Sequence, residues 1–307
     1  MADPKTEAAE KHLYRIVTED GEVCMDAEMI LGRLEGQAAE ILRRLEEPGV
    51  DLSADARSML GLFVVMQRVR TPFGREWIKQ VDENLAVARA KETLMHGERS
   101  EGSGGGHLSP DEREGLLEDL DSGAIWVESP PDRLTALMFL TWQEQAEILV
   151  NQCEWGIFRA PEGTEFVISD NPVAHYDPTL TRLGGGLGFL SSKYTTTNFP
   201  VDPSYAICIR PRGHPAWGDG VTDAATVQEI NLMTYAWAEH AVYGRNQKVL
   251  TDLRRYAKRN PRRLAKYPRA NPQLLFEGEA GGDLLALQGR VRLATLPRSM
   301  QPGWLYE

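Results

Sequence analysis

Residues 153–172 read CEWGIFRAPEGTEFVISDNP, and within this stretch the pattern of the chain changes from helical to extended. Two short runs rich in β-branched and aromatic residues, 154–159 and 165–169, flank a Pro-Glu-Gly-Thr sequence that is typical of a tight turn. The stretch therefore predicts two antiparallel strands joined as a hairpin. A further strand is predicted at residues 204–210. Pro203 stands at its start, where a missing N–H is tolerated.

Helical patterns surround these strands on both sides. Apolar residues recur at spacings of three and four from residue 26 to 47, and Ser53 is a suitable N-cap for a helix reaching about residue 70. Further helices are predicted at 75–95, 130–152 and 223–242. Strands and helices do not alternate as in a doubly wound sheet. The predicted fold is α+β, mainly helical, with a small antiparallel sheet formed from the middle of the chain.

We expect a single α+β domain over residues 1–307. Its predicted parts are a helical part (20–96), a flexible Gly/Ser loop (97–110), a helix with the sheet (111–245), and a basic helix with an irregular C-terminal part (246–307).

Composition argues against secretion and against membrane insertion. The three cysteines are far apart and have no metal-ligand spacing, which favours a reducing compartment. The first fifteen residues lack the apolar core of a signal peptide, and no run of about 18 apolar residues occurs. We therefore expect a cytoplasmic protein that does not contact membrane.

The charge is distributed unevenly. The total is −11, yet Leu253 to Ala270 carries eight cations and no acid. This basic strip, 254–269, is predicted to contact a small anionic ligand or nucleic acid phosphate, with Tyr256 and Tyr267 as stacking faces. The alternative is that it docks on the acidic surface of the protein itself.

The second predicted helix places polar residues on its inner face. Gln67 falls on the apolar stripe, and Arg68 and Arg70 flank it. On the first helix, Glu28 and Glu35 share one edge, so Glu35 is expected to pair with Arg70 or Arg68. Such a pair either fixes the register of the two helices or belongs to a functional site.

Ser169-Asp170-Asn171-Pro172 (the SDNP segment) follows an apolar strand, so a hydroxyl, a carboxylate and an amide emerge together at a strand end. The same residue types form simple turns. Asp170, His175 and Asp177 are a possible ligand set for a divalent metal.

Three passages carry a resemblance to a known family. They are Glu28 with Leu34-Glu35-Gly36, Gln67-Arg68-Val69-Arg70-Thr71-Pro72, and Phe166-Val167-Ile168 followed by the SDNP segment. Phe199-Pro200-Val201-Asp202-Pro203 and Asn231 agree with them. Over roughly residues 12–245 the chain resembles the mostly bacterial domain of unknown function 4238 family. That family typically opens with a His-Tyr-Val-Pro motif, which this sequence lacks; a functional role of its histidine would be lost here.

Three functions remain open. In an enzyme, Asp170, Asn171, Glu35 and Arg70 would be catalytic, with Gln67, Arg68, Ser169 and Glu28 binding the ligand. Hydrolysis of a phosphodiester or another anionic substrate, in a phage-defence or toxin setting, is the version to test first. A regulatory module would bind a small ligand or a partner without turnover. In a purely structural protein the same residues would form an internal network. All three predict that Glu35, Arg70 and Asp170 share one polar pocket.

Overall fold

The computed structural model describes residues 16–17, 23–24, 26–47, 49–50, 52–96, 108–178, 194–213 and 220–267. Most of the predicted Gly/Ser loop and everything after residue 267 lie outside these ranges. The chain divides into two compact units, one of residues 1–83 and 127–271 and the other of residues 84–126 and 272–307. The expectation of a single domain over 1–307 stays a prediction.

Eight helices are present in the described ranges. They are α1 (Asp26–Leu45), α2 (Ala54–Val69), α3 (Pro72–His96), α4 (Pro110–Ser122), α5 (Pro131–Gln152), α6 (Ala224–Trp237), α7 (Gln247–Arg259) and α8 (Pro261–Leu264).

Nine short strands complete the described elements: β1 (Ile16–Val17), β2 (Val23–Cys24), β3 (Cys153–Arg159), β4 (Ile168–Ser169), β5 (Ala174–Tyr176), β6 (Thr196–Asp202), β7 (Tyr205–Pro211), β8 (Gly220–Val221) and β9 (Val242–Tyr243). The main sheet has five strands in the order β5-β6-β7-β3-β8. Its pairs are antiparallel except β3 with β8. The predicted α+β fold, mainly helical with a small antiparallel sheet from mid-chain, is confirmed.

The main sheet is covered on both faces, as the alternation of strand side chains requires. Ile207 and Ile209 belong to the larger core, which also holds Leu60 of α2 and Leu149 of α5. Ala206 and Cys208 point the other way and pack with Val227 and Ile230 of α6. An open groove lies on this second face, between the sheet and α6.

The predicted hairpin between residues 154–159 and 165–169 is wrong. The turn forms, since Thr164 N donates to Pro161 O at 3.0 Å and Gly163 has φ +79°. However, β3 pairs with β7, while β4 pairs with β9 in a separate two-stranded sheet. Pairing with the long, apolar β7 gives β3 seven partnered residues, which a hairpin with the shorter run could not match.

The boundaries of the helices follow from local chemistry. Ser53 accepts a hydrogen bond from Ala56 N at 3.2 Å, so the predicted cap of α2 is confirmed. α1 ends before Gly49, whose φ of +80° suits glycine. Arg159 holds this end, because its guanidinium donates to the carbonyl oxygens of Leu45 and Glu47 at 2.6 and 2.7 Å.

The second unit contains α4 and the end of α3. A capping box opens α4: Ser109 Oγ accepts from Glu112 N, and Glu112 accepts from Ser109 N at 2.7 Å. Hydrogen bonds from the backbone N–H and then from the side chain of Ser109 lower the pKa of the Glu112 carboxyl. Lys91 pairs with Asp121 at 2.5 Å.

None of the helices in the described ranges combines the length and the apolar character that crossing a bilayer requires. Cys153 and Cys208 are free and buried, and burial raises the pKa of Cys153 to about 12.

Candidate functional site

The carboxylate of Asp170 is occupied by backbone groups that follow α6. It accepts hydrogen bonds from the N–H groups of Glu239, His240 and Ala241 at 2.9, 2.6 and 3.1 Å. Asp170 N donates in return to Ala241 O at 3.2 Å. These bonds explain why α6 stops at Trp237 rather than near residue 242 as the sequence predicts: the N–H groups that would continue the helix are turned toward Asp170.

Ser169 and Asn171 complete the same turn. Ser169 Oγ donates to Asn171 O at 2.8 Å, and Asn171 Nδ2 donates to Trp237 O at 3.2 Å. Both side chains are buried. Asn171 therefore satisfies a carbonyl at the C-terminal end of α6, one of the groups that a helix leaves without an intrahelical partner.

Asn231, in the middle of α6, forms hydrogen bonds with the extended residues just before β4, which lead into the SDNP segment. Its Oδ1 accepts from Val167 N and its Nδ2 donates to Glu165 O, both at 2.9 Å. The amide thus replaces a strand partner for two backbone groups. Together with Asp170 and Asn171 it forms the α6 clamp, a set of three side chains that fixes this helix against residues 165–171.

Glu35 and Arg70 form the cross-helix pair that the sequence predicts. Arg70 Nη1 donates to Glu35 Oε1. The side chain of Arg70 is 37% exposed, and that of Glu35 is 46% exposed. The expected union of this pair with Asp170 is not found among the described contacts. Asp170 accepts three backbone N–H bonds, and the described ion-pair partner of Arg70 is Glu35.

The other expected ligand-binding residues lie apart from the clamp. Gln67 is buried in α2, as its place on the apolar stripe indicates, and Arg68, which was expected to flank the stripe, is buried as well. Burial lowers the pKa of Arg68 to about 10, and its guanidinium lies 6.0 Å from the ring of Trp77. The side chain of Glu28 lies outside the described part of the chain.

The predicted metal ligands are not brought together. His175 is buried with its ring 4.4 Å from that of Trp237, and Asp177 accepts from Thr195 Oγ1 at 2.9 Å. Asp170 is engaged by the turn after α6. Within the ranges that the structure covers, no group of three His, Cys, Asp or Glu residues is placed to hold a metal ion.

A groove opens on the α6 face of the sheet, with a volume of about 390 Å³. Its floor consists of sheet residues, its wall is formed by α6 residues between Ala225 and Met233, and Arg263 of α8 and Tyr267 complete the lining. We call it the α6 groove; its lining residues are Phe158, Tyr176, Thr196, Asn198, Arg210, Asp223, Ala225, Thr226, Gln228, Glu229, Ile230, Met233, Arg263 and Tyr267.

The acids of the α6 groove are held by neighbouring groups. Glu229 accepts from the hydroxyl of Tyr267 at 2.6 Å and pairs with Arg263 at 3.2 Å. Asp223 caps α6, accepting from Thr226 N at 2.7 Å, and hydrogen bonds from the side chain and then from the backbone N–H of Thr226 lower its pKa. The positive end of the helix dipole offsets the charge of Asp223.

The remaining titratable groups of the α6 groove keep their protons at neutral pH. Burial, then the hydrogen bond to Glu229, raises the pKa of Tyr267, and burial raises that of Tyr176. Burial lowers the pKa of Arg210. An arginine remains a cation in proteins, so the groove presents a fixed charge and fixed donors.

Sequence reasoning missed most of the α6 groove. Arg210 gave one signal, because it ends the otherwise apolar run of β7. Arg263 and Tyr267 belong to the basic strip that the sequence predicts to bind an anion. Within the described part of that strip, Arg263 pairs with Glu229 of α6, and the docking alternative for the strip as a whole stays a prediction.

Comparison with known proteins gives one match. Residues 2–248 match the family described as Protein of unknown function (DUF4238). No curated protein and no solved structure matches the chain. The matched residues contain the α6 clamp and the sheet floor of the groove, whereas most of α7 and all of α8 lie beyond them.

Proposed function

The chain belongs to the DUF4238 family of proteins of unknown function, and from this premise we propose that it binds a small anionic molecule in the α6 groove. The SDNP segment serves this function indirectly, by fixing the helix that forms the groove wall. A cytoplasmic location, as the free buried cysteines favour, is part of the proposal.

The observation that carries the proposal is the position of Arg210 on the floor of the α6 groove. Its guanidinium is partly desolvated, as the direction of its pKa shift indicates. A cation that has lost solvation gains more from an anion than an exposed cation does. A cavity of about 390 Å³ has the size of ordinary small-molecule sites.

Other groove residues supply orientation. Thr196 and Asn198 project from β6 beside Arg210, and the tyrosines 176 and 267 place their rings 5.0 Å apart, edge to face. Hydroxyl and amide groups bind the polar atoms of a ligand, and the aromatic rings pack on its apolar part.

Binding is favoured over hydrolysis because of the state of Asp170. A general base needs a carboxylate oxygen that can reach the substrate. Asp170 directs its oxygens to three backbone N–H groups, and the Glu35–Arg70 pair is not in contact with it. The hydrolase hypothesis therefore stays a prediction.

The test is ligand-induced thermal stabilisation of the full chain. Inorganic phosphate, citrate and adenosine 5′-monophosphate are the probes, since a ligand that binds the folded state raises Tm. We expect at least one of them to raise Tm, and Arg210→Gln to abolish the rise. Arg212→Gln is the matched control, because this exposed arginine lies two residues away and outside the groove. No shift with any probe, or an equal shift in both variants, contradicts the proposal.

A further inference from the structure

The outer face of α7 is rich in cations. Leu253 and Ala257 are buried and define the inner face. The exposed cations of α7, α8 and the residues just after them, here called the α7–α8 surface, are Lys248, Arg254, Arg255, Lys258, Arg259, Arg262, Arg263 and Lys266. Lys248 was not part of the basic strip predicted from the sequence.

Most of this charge is not neutralised locally. Arg255 pairs with Asp252 at 3.0 Å, and Arg263 pairs with Glu229. Among the described residues, the other six cations form no ion pair. Arg254 and Lys258 are four residues apart, as are Arg255 and Arg259, and like charges at this spacing destabilise a helix. A bound polyanion relieves that repulsion.

We propose that the α7–α8 surface binds the phosphate backbone of a single-stranded nucleic acid, one nucleotide of which enters the α6 groove. The surface and the groove are continuous, because Arg263 belongs to both. The inference rests on the proposed function at its groove end, and it names the ligand class as an oligonucleotide.

The shape and charge of the protein select a single strand. The net charge is −11, so a rigid duplex or a membrane surface would bring many phosphates near acidic regions. A flexible strand can follow the face of α7, which is about 20 Å long at 1.5 Å per residue. Its bases are unstacked and free to contact aromatic rings, here those of Tyr176 and Tyr267 at the groove.

Arginine content favours phosphate as the group that is bound. Five of the eight cations are arginines, and a guanidinium fork donates two parallel hydrogen bonds to a phosphate. An acidic peptide also presents carboxylates to such forks. Such a peptide has no planar base to pack on the tyrosines of the groove, so peptide binding is the competing outcome of the experiment.

The experiment measures the affinity of the full chain for labelled oligothymidylate and oligouridylate of about 12 nucleotides. Fluorescence anisotropy is recorded between about 50 and 200 mM salt, because phosphate contacts make affinity fall steeply with salt. The test variant combines Arg254→Gln, Lys258→Gln and Arg262→Gln. The matched control combines Arg33→Gln, Arg43→Gln and Arg44→Gln, which removes three exposed cations from α1.

We expect the test variant to lower the slope of log affinity against log salt by about 2, since each contact with a single strand contributes about 0.7. The control variant should keep the wild-type slope. Arg210→Gln should weaken binding at fixed salt while changing the slope by less than about 1. Absence of binding to both oligonucleotides at about 50 mM salt overturns the inference. An unchanged slope in the test variant, or equally tight binding of a polyglutamate peptide, overturns it too.

The two proposals fail in different ways. If adenosine 5′-monophosphate raises Tm through Arg210 while neither oligonucleotide binds, the inference on the α7–α8 surface falls and the α6 groove stands. If the oligonucleotides bind through the α7–α8 surface and ignore Arg210→Gln, no nucleotide enters the groove and that part of the inference falls, while the Tm shift alone decides the groove proposal.

Discussion

From its middle to its C-terminal end, α6 is held by side chains that bond to backbone groups, whereas residues between Ala225 and Met233, on a face that includes the N-terminal half, line an open groove. At the clamped end, Asp170 and Asn231 each bond to backbone groups, at distances between 2.6 and 3.1 Å. At the groove end, Arg210 and Asn198 line about 390 Å³ of space. Both ends are rich in polar residues, so residue type alone does not distinguish them.

The comparison shows how the SDNP segment supports the α6 groove without lining it. The hydrogen bonds of the α6 clamp join α6 and the turn after it to residues 165–171, and its role is to hold the helix in place. A helix held at one end presents its other end in a fixed position. We infer that the clamp positions the groove wall, and that the two regions respond differently to substitution.

The largest effect is expected for Asn231→Ala. The change leaves Val167 N and Glu165 O without partners in a buried region. Loss of these bonds should lower the free energy of unfolding by about 2–4 kcal/mol. Urea denaturation measures it. Gln228→Ala is the control, because Gln228 is exposed on the same helix; equal losses in the two variants would contradict the clamp.

Asp170→Asn comes next and separates the two ends most directly. An amide cannot accept three N–H bonds with the strength of a carboxylate, so we expect a loss of about 1–3 kcal/mol in urea denaturation. Asp252→Asn, an exposed acid on α7, is the control. The Tm rise caused by groove ligands should persist in Asp170→Asn and vanish in Arg210→Gln. A folded Asp170→Asn protein that has lost the rise would place Asp170 in the binding site.

Alkaline pH tests the groove end through Tyr267. Burial and the bond to Glu229 raise its pKa in the folded state above the ordinary value near 10. The stabilisation is complete below pH 10 and is lost as pH rises, because only the unfolded state then releases the proton. Urea midpoints should fall above about pH 10, and less so in Tyr267→Phe. Tyr194→Phe, at a tyrosine that is 45% exposed, should keep the wild-type fall. Matching curves for all three proteins would reject the assignment.

What could be read from the sequence was local in origin. The cap at Ser53, the burial of Gln67 and the Glu35–Arg70 pair follow from helical periodicity and from one pair of adjacent helices. The pairing of β3 with β7 could not be predicted in this way. β7 begins about fifty residues after the start of β3, and the run at residues 165–169 is a nearer candidate partner. The α6 groove combines residues from four strands, α6 and α8, and no spacing along the chain encodes that meeting.

The smallest effect is expected for Glu35→Gln, the pair that the sequence predicted best. Both partners are more than a third exposed, and exposed pairs contribute about 0–1 kcal/mol. A double-mutant cycle with Arg70→Gln in urea denaturation measures the coupling between them. A coupling above about 2 kcal/mol would mean that the pair is far less solvated than its exposure indicates. Groove ligands should raise Tm equally in all four proteins of the cycle, since the pair and the α6 groove share no residue.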